Sequence, residues 1–466
     1  MTPLGALASE TSVLLLTSAG VTAIASTGLL GEARSRSIST YLLTAWTGLL
    51  LLIFVGARSP AGFIGATSAA IGLAAALSSS CIIRERGKFL HDAVLLALVA
   101  SAYLVAQSRD LIRLFVYWEL MSVSILVLTV FHWHRENLES ALKYVMMCGV
   151  GSLLALVGIG MTVAEAGSTS IEAVARASPL AKALMAVGFG VEAAIFPLHF
   201  WLPDVHMAAP STASALLSGI AIETGAYVAA SVALLDAHVA KAFALAALIG
   251  AFIGNLAAIR QDDMKRMLAY SSVAHVSYIV LGLVAGAALA KTYAQLHIMA
   301  HGLLKGAAFL LSGLFIALWG TRSLSVLAGK LERTIALKFS IVALGLGLTG
   351  VPPFLTFWSE AFTFIGLVTT NFFAATMAVG MAIAILISAA FYFRLFYSLS
   401  VGKGPVLHDG SGESGGNSEE RPELGASETV ALVAILALII VAIALSAFPK
   451  TLIDYFNLGQ MMLPPA

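Results

Sequence analysis

Four glutamates, Glu119, Glu192, Glu223 and Glu360, interrupt apolar runs long enough to cross a membrane, and Lys305, His297 and His301 sit at similar depth in another. An ionisable side chain at the centre of a membrane helix costs about 2.5–3.5 kcal/mol even on insertion scales, and residues kept there mark ion or proton routes. His297, His301 and Lys305 recur every four residues and therefore share one helical face. Histidine titrates near neutral pH and a buried lysine gives up its proton readily, so this face suits a proton relay. Two histidines four residues apart can also ligate a metal, but no H-E-x-x-H pattern accompanies them and Lys305 repels a cation. His275 fits the relay or a hydrogen-bonded core position equally. Each glutamate also has a structural reading. Glu119 could extend to water from a helix end, Glu192 could solvate an interrupted helix, and Glu223 could pair with a neighbouring base.

Those groups need membrane helices to position them. The 466 residues are 59% hydrophobic and 11% charged, against about 25% charged in a soluble domain. With about 20 apolar residues per span, the pattern predicts an all-α polytopic membrane protein of about fourteen helices. They fall near 12–31, 37–56, 60–83, 89–108, 111–131, 139–163, 178–199, 211–234, 240–259, 268–289, 293–319, 337–366, 371–400 and 428–448. The net charge of +1 argues against a nucleic-acid surface. Cys81 and Cys148 both fall in apolar runs and are too few for an iron–sulfur or zinc site. No haem, flavin or nucleotide motif is present, and no cofactor or metal is expected in this chain.

Two spans break their own pattern. "VEAAIFPLHFWLPDVHMAAPS" carries Pro197, Pro203 and Pro210, and "TGVPPFLTFWSEAF" carries Pro352 and Pro353. Proline removes a backbone donor, and backbone freed at membrane depth is tolerated only inside protein or beside a watery cavity. His199, Asp204 and His206 flank the first break, either gating it or satisfying its backbone. Each break falls in the fourth helix of a five-helix stretch, 89–234 and 240–400, and an odd number of helices per repeat inverts the second copy. The remaining divisions are the N-terminal helices 1–88, a Gly-, Ser- and Glu-rich flexible loop 401–427, and a C-terminal helix and tail 428–466. The odd-numbered loops carry seventeen Lys and Arg, against eight in the even loops and termini. That bias puts the odd loops and 401–427 in the cytoplasm and both termini outside. By the same rule Lys265 and Arg266 are topology signals of a cytoplasmic turn.

At these motifs the chain resembles the antiporter-like subunits of the respiratory complex I superfamily. That group comprises the large proton-channel subunits of NADH–quinone oxidoreductase, the Mrp-type sodium/proton antiporters and the membrane arms of group 4 hydrogenases. The resemblance spans about residues 85 to 400. It is carried in order by "YWELMS" around Glu119, "FPLHFWLPDVHMAAPS", "QDDMKRMLAYSSVAHVSY", "HIMAHGLLKGAAFLLSG" around Lys305, and "GVPPFLTFWSE" ending on Glu360. The wording "AAPSTASALLSG" is closer to the Mrp and hydrogenase branches. Two positions depart from the pattern: Glu192 and Glu223 stand where such subunits usually carry lysines.

The resemblance implies a subunit that conducts protons, or exchanges them for sodium, in an energy-conserving membrane such as a prokaryotic plasma membrane. The route would run through Glu119, Glu192 and Glu223, then His297, His301, Lys305 and Glu360. It implies partner membrane subunits, with iron–sulfur, nickel–iron or flavin groups carried by neighbours. A Mrp-like antiporter without a redox partner, and a membrane scaffold that has lost transport, are the competing readings. With Glu192 beside Glu119, two carboxylates would share one seam and hold one proton or one sodium ion between them.

Overall fold

The computed structural model describes residues 7–331, 334–401 and 424–463. The helices run in the expected order: α1 (Glu10–Ser26), α2 (Glu32–Gly56), α3 (Pro60–Ile82), α4 (Lys88–Gln107), α5 (Leu111–Thr129), α6 (Arg135–Ala166), α7 (Pro179–Glu192), α8 (Trp201–Ala208), α9 (Ser211–Leu216), α10 (Ile222–Ala233), α11 (Ala237–Ile259), α12 (Met264–Ala285), α13 (Ala288–Trp319), α14 (Leu324–Leu327), α15 (Ile335–Leu348), α16 (Leu355–Val368), α17 (Phe372–Ser400), α18 (Ala426–Leu445) and α19 (Pro449–Phe456). Twelve of the described helical stretches are long and apolar enough to span a membrane, and α15 and α16 are shorter apolar helices. The loop expected over 401–427 lies almost wholly outside the described residues.

Three sequence-level boundaries need correction. The 178–199 helix stops at Glu192, and the 337–366 helix is two pieces separated at 349–354. The 211–234 helix contains a π-helical stretch, Leu217–Ala221. In each case the apolar run continues through a change of backbone, so hydropathy alone does not register it. The first two changes occur at the expected prolines.

The same devices close both interruptions. At the end of α7 the Ala194 N–H donates to Val191 O at 3.0 Å and Ile195 N–H to Gly190 O at 3.1 Å. After α15, Gly350 donates to Gly347 O and Val351 to Leu346 O, both at 3.1 Å. This pair of bonds satisfies carbonyls that a stopped helix leaves bare, and it requires a left-handed residue at the turn. Ala194 and Gly350 take that role, at φ 52° and 74°. The Trp201 indole then donates to Val191 O at 3.0 Å, so α8 packs back on the broken end.

Other features recur alongside. Asp110 and Asp263 each cap the following helix through the side chain and bridge to Ser170 and Ser323 respectively. Both α6 and α13 have 32 residues and end at left-handed glycines, Gly167 and Gly320.

Helix α13 is the hub, packed against α3, α9, the π stretch, α12, α15, α16 and α18. Its backbone meets the π stretch where Gly302 faces Gly219: a Cβ on either would collide with the carbonyl oxygen of the other. Glycine is required there because two main chains touch. The Ser211–Ala233 span is entirely buried. Leu142, Met146 and Leu153 on α6, Leu386 and Phe393 on α17, and Val433 and Ile440 on α18 face outward, as lipid-facing surfaces do. Ala8, bonded by the Tyr103 hydroxyl, and Met462, whose carbonyl accepts from Arg109 at 3.2 Å, lie near the same end of α4.

Gly350 lies directly under the Glu360 carboxylate, which a Cβ would strike, whereas Ala194 carries the left-handed penalty of about 1–2 kcal/mol. Gly350→Ala should therefore lower the thermal stability of the detergent-solubilised protein, and Ala194→Gly should leave it unchanged or raise it by up to ~1 kcal/mol. The reverse order in a melting experiment contradicts this account of the two breaks.

Candidate functional site

The helix stop at Glu192 places its carboxyl between two other helices. The Ser122 hydroxyl of α5 and the Tyr144 hydroxyl of α6 donate to its two oxygens, each at 2.6 Å. The residue is buried. Glu119, half-buried and three residues before Ser122 on α5, lies within electrostatic reach of Glu192, and its Oε1 has no protein hydrogen-bond partner. The direct partners of Glu192 are thus two hydroxyls, with the second carboxylate behind them.

Glu223 is the second residue of α10, which follows directly on the π stretch, a local distortion often found at functional positions. Its Oε1 pairs closely with Nδ1 of His301 on α13, and both side chains are fully buried. This contact lies beside the Gly219–Gly302 crossing and is where the Glu223 span touches the His/Lys face of α13. Helix α10 also packs on the broken end of α7, with Ala193 N 3.0 Å from a Cβ built on Gly225. Glu223 Oε2 and His301 Nε2 have no further protein partner.

Beyond His301 the groups come from four helices. The His275 ring of α12 stacks on His301 with centroids 4.6 Å apart. His275 Nδ1 is 3.1 Å from His297 Nε2, His275 Nε2 is 3.2 Å from the Tyr392 hydroxyl, and His297 Nδ1 is 2.7 Å from Ser359 Oγ. Ser359 donates its own proton to Thr356 O at 2.9 Å, so with neutral rings its oxygen must accept from His297. That fixes His297 Nε2 as an acceptor for His275 Nδ1–H, and His275 Nε2 as the acceptor for Tyr392. The hydrogens all point one way from Tyr392 to Ser359, the arrangement a proton wire needs. Glu360 Oε1 lies 3.9 Å from His275 Nδ1, an electrostatic contact longer than a hydrogen bond. Lys305 Nζ donates to Leu268 O at 2.9 Å and to Ser271 Oγ and sits 5.9 Å from the Tyr392 ring centroid.

A cation could be held here, but by a different set from the pair that spacing suggests. His275, His297 and Glu360 each offer one donor atom, all within 4.8 Å of one another. His301 is engaged with Glu223 instead.

The flanking residues divide. His206 is buried with neither ring nitrogen bonded to protein, and its ring stacks on Phe309 at 4.4 Å, one helical turn beyond Lys305. His199 is buried, and its Nδ1 has no protein partner. Asp204 is held by Lys143 at 2.9 Å near the surface and does not join the buried groups. Lys265 corrects its sequence reading: it is buried, and its ammonium donates to Ala209 O at 2.6 Å, pinning the segment between α8 and α9. A cavity of about 420 Å³, lined by Glu85, His132, Ser211, Lys265, Gly313 and Arg322 among others, opens at this end. The His132 imidazole, 3.1 Å from Glu85, holds that carboxyl below the usual carboxylate range.

Sequence reasoning missed Ser122, Tyr144, Ser271, Ser359 and Tyr392. None carries a charge, so burial draws no attention to them. The one available signal was Ser122 three residues after Glu119, on the same face of α5.

Residues 108–387 match the family described as "NADH:quinone oxidoreductase/Mrp antiporter, TM". NADH-quinone oxidoreductase subunit N of Desulforudis audaxviator is 31% identical over 402 residues, covering 82% of this chain and 78% of that protein. NAD(P)H-quinone oxidoreductase chain 4 2 of Thermosynechococcus vestitus is 31% identical over 331 residues, 66% of this chain and 61% of that one. In a solved structure of an archaeal respiratory membrane complex, the membrane-bound sulfane sulfur reductase, one chain superposes with a TM-score of 0.84. It is 22% identical, with 96% of this chain and 97% of that chain covered, which is likeness of fold.

The Tyr144–Glu192 bond is open to a double-mutant cycle. Tyr144→Phe should cost about 1.5–3 kcal/mol of stability in a Glu192 background and distinctly less in Glu192→Gln, since a hydrogen bond to a charged group is worth that much. Equal cost in both backgrounds means the hydroxyl does not hold the carboxylate.

Proposed function

This chain belongs to the NADH:quinone oxidoreductase/Mrp antiporter transmembrane family, and we propose that it is an antiporter-like, proton-translocating membrane subunit of an energy-converting complex related to those oxidoreductases. The observation that carries the reading is the buried Glu223–His301 pair. It lies between the two parts of the route: α10 packs on the broken end of α7 that carries Glu192, and the His301 ring stacks on His275, a member of the hydrogen-bonded line from Tyr392 to Ser359. Carboxylates in the first half accept protons, and the ordered imidazoles pass them on by exchanging donor and acceptor nitrogens. Gaps longer than a hydrogen bond are crossed by water, which can also partner the free oxygens of Glu119, Glu223 and Glu360.

The division of labour follows from the donor sets. Lys305 touches only a carbonyl and a hydroxyl, so it supplies a movable positive charge whose proton shifts the balance at Glu223 and His275. Glu360 ends the route at the second break. The chemistry that drives transport belongs to partner subunits, which would carry any iron–sulfur, nickel–iron or flavin group. We assign 89–234 and 240–400 as two five-helix repeats of opposite orientation, which the recurring caps and closures support, with both termini on the non-cytoplasmic side of an energy-conserving membrane such as a prokaryotic plasma membrane.

Sodium exchange is the second reading, favoured by one observation. Glu192, which stands where such subunits usually carry a lysine, sits among the hydroxyl oxygens of Ser122 and Tyr144 with Glu119 nearby, and oxygen ligands suit a hard cation.

The test is ion flux in proteoliposomes containing the membrane assembly, driven by an imposed gradient. Lys305→Ala should stop flux while the assembly purifies intact, and repeating the assay with and without sodium identifies the ion. Flux at the normal rate in that variant removes Lys305 from the route. Failure to assemble would make it a structural residue, because Leu268 O and Ser271 Oγ would lose their buried donor at about 1–3 kcal/mol each.

A further inference from the structure

A second cluster of buried ionisable groups lies away from this seam, near the start of α4. Lys88, His91 and Asp92 share one face of that helix, and all three are essentially inaccessible. Lys88 Nζ donates to Asp92 Oδ2 at 2.5 Å and to Thr40 Oγ1 of α2 at 2.7 Å. Ser39 donates to the same Asp92 oxygen at 2.8 Å. Asp92 Oδ1 lies 2.9 Å from His91 Nδ1, and His91 Nε2 lies 2.8 Å from Thr212 Oγ1. Five side chains thus form one unbroken line from α2 through α4 to the first turn of α9.

One end of the line opens on space, and the other lies beside a residue that does. Thr40 and Lys88 line a cavity of about 470 Å³ between α2, α3 and the start of α18, together with Tyr41, Ser80 and Ser427. Thr212 follows Ser211, which lines the separate cavity of about 420 Å³ beside Lys265. A purely structural ion pair needs only Lys88 and Asp92. The imidazole between Asp92 and Thr212 adds a group that can receive a proton at one nitrogen and release another from the opposite one.

We infer that Thr40, Lys88, Asp92, His91 and Thr212 form a lateral proton intake that feeds the α9 end of the central seam from the pocket between α2, α3 and α18. With Asp92 ionised, the neutral His91 ring keeps its proton on the nitrogen facing Asp92 and accepts from Thr212 at the other. A proton passes from the Lys88 ammonium to the Asp92 carboxylate, and the His91 ring turns over so that its bare nitrogen takes that proton from Asp92. The opposite nitrogen then hands its own proton to Thr212, whose hydroxyl releases one towards the Ser211 cavity. Lys88 is reprotonated from the Thr40 pocket, so one ring turn per proton returns each group to its starting charge and hydrogen-bond role. The inference rests on the proton-translocating reading above.

The experiment measures gradient-driven proton flux in proteoliposomes of the membrane assembly. Thr212→Val removes the last hydroxyl and leaves the Lys88–Asp92 pair intact. Ser80→Trp fills the outer pocket from an exposed position without replacing any residue of the line. Each should slow flux about threefold, and the double variant should be no slower than either single, because both block one route. Thr212→Ser should restore the normal rate. Normal flux in either single variant, or an additive loss of about ninefold in the double, overturns the intake, since unrelated packing defects add. If Thr212→Val does not assemble, His91→Gln replaces it under the same criteria. Lys305→Ala run in parallel separates the two claims. Loss of flux there with normal flux in Thr212→Val and Ser80→Trp keeps the seam and removes the intake, whereas flux retained in Lys305→Ala removes Lys305 from the route and leaves the intake to stand or fall on the Thr212 and Ser80 variants.

Discussion

A buried carboxylate facing a buried imidazole, Glu223 against His301, is the contact on which the arrangement depends. Neither side chain touches solvent, and in an apolar bundle each would be costly alone, since an isolated buried charge is penalised far more than a paired one. Their contact needs α10 and α13 to approach at backbone distance, which is why glycines occupy 219 and 302. A Cβ at either position would hold the helices apart and leave the two groups unpaired. The π stretch before Glu223 serves the same end, because an extra residue in the turn changes the face that α10 presents. Pairing and close packing are therefore one requirement expressed twice.

The two broken helices supply the rest of the positioning. A continuous α7 would leave Glu192 in mid-helix. By stopping there, the chain sets the carboxyl against Ser122 and Tyr144 and leaves carbonyls that Ile195 and Trp201 satisfy. At the second break, Gly350 is small enough for the Glu360 carboxylate to lie over its backbone, near His275. At the first break the backbone of Ala193, Ala194 and Ile195 is buried, and its polar groups find protein partners. Four of the groups assigned to the route, Glu119, Glu223, His301 and Glu360, keep unpartnered buried atoms, as do His199 and His206 at the first break.

Much of this was legible in the sequence, for specific reasons. Each of the fourteen expected helices has a helical counterpart, because run length and hydropathy set membrane spans. Both interruptions followed from Pro197 and from Pro352 with Pro353. The buried placement of Glu192, Glu223, His297, His301 and Lys305 followed from their apolar surroundings. What was hidden depends on contacts between helices distant in sequence. Tyr144 and Ser122 are ordinary residues until α7 ends beside them. The grouping of His275, His297 and Glu360 comes from three helices, whereas spacing suggested His297 with His301. Lys265 was misread for a different reason. It lies at a helix start, where a lysine looks like a loop charge fixing topology. The structure instead turns it inward, onto the Ala209 carbonyl.

The most direct measurement of the central claim is proton flux through the reconstituted membrane assembly carrying Glu223→Gln. Glutamine matches glutamate in size and can still accept a hydrogen bond from His301, so packing at the Gly219–Gly302 crossing is preserved, but it cannot take up or release a proton. If the Glu223–His301 contact joins the two parts of the route, flux under an imposed gradient falls to background while the assembly keeps its composition and melting temperature. Flux at the normal rate in that variant contradicts the account, because protons would then cross without the residue that connects the first carboxylates to the histidine wire.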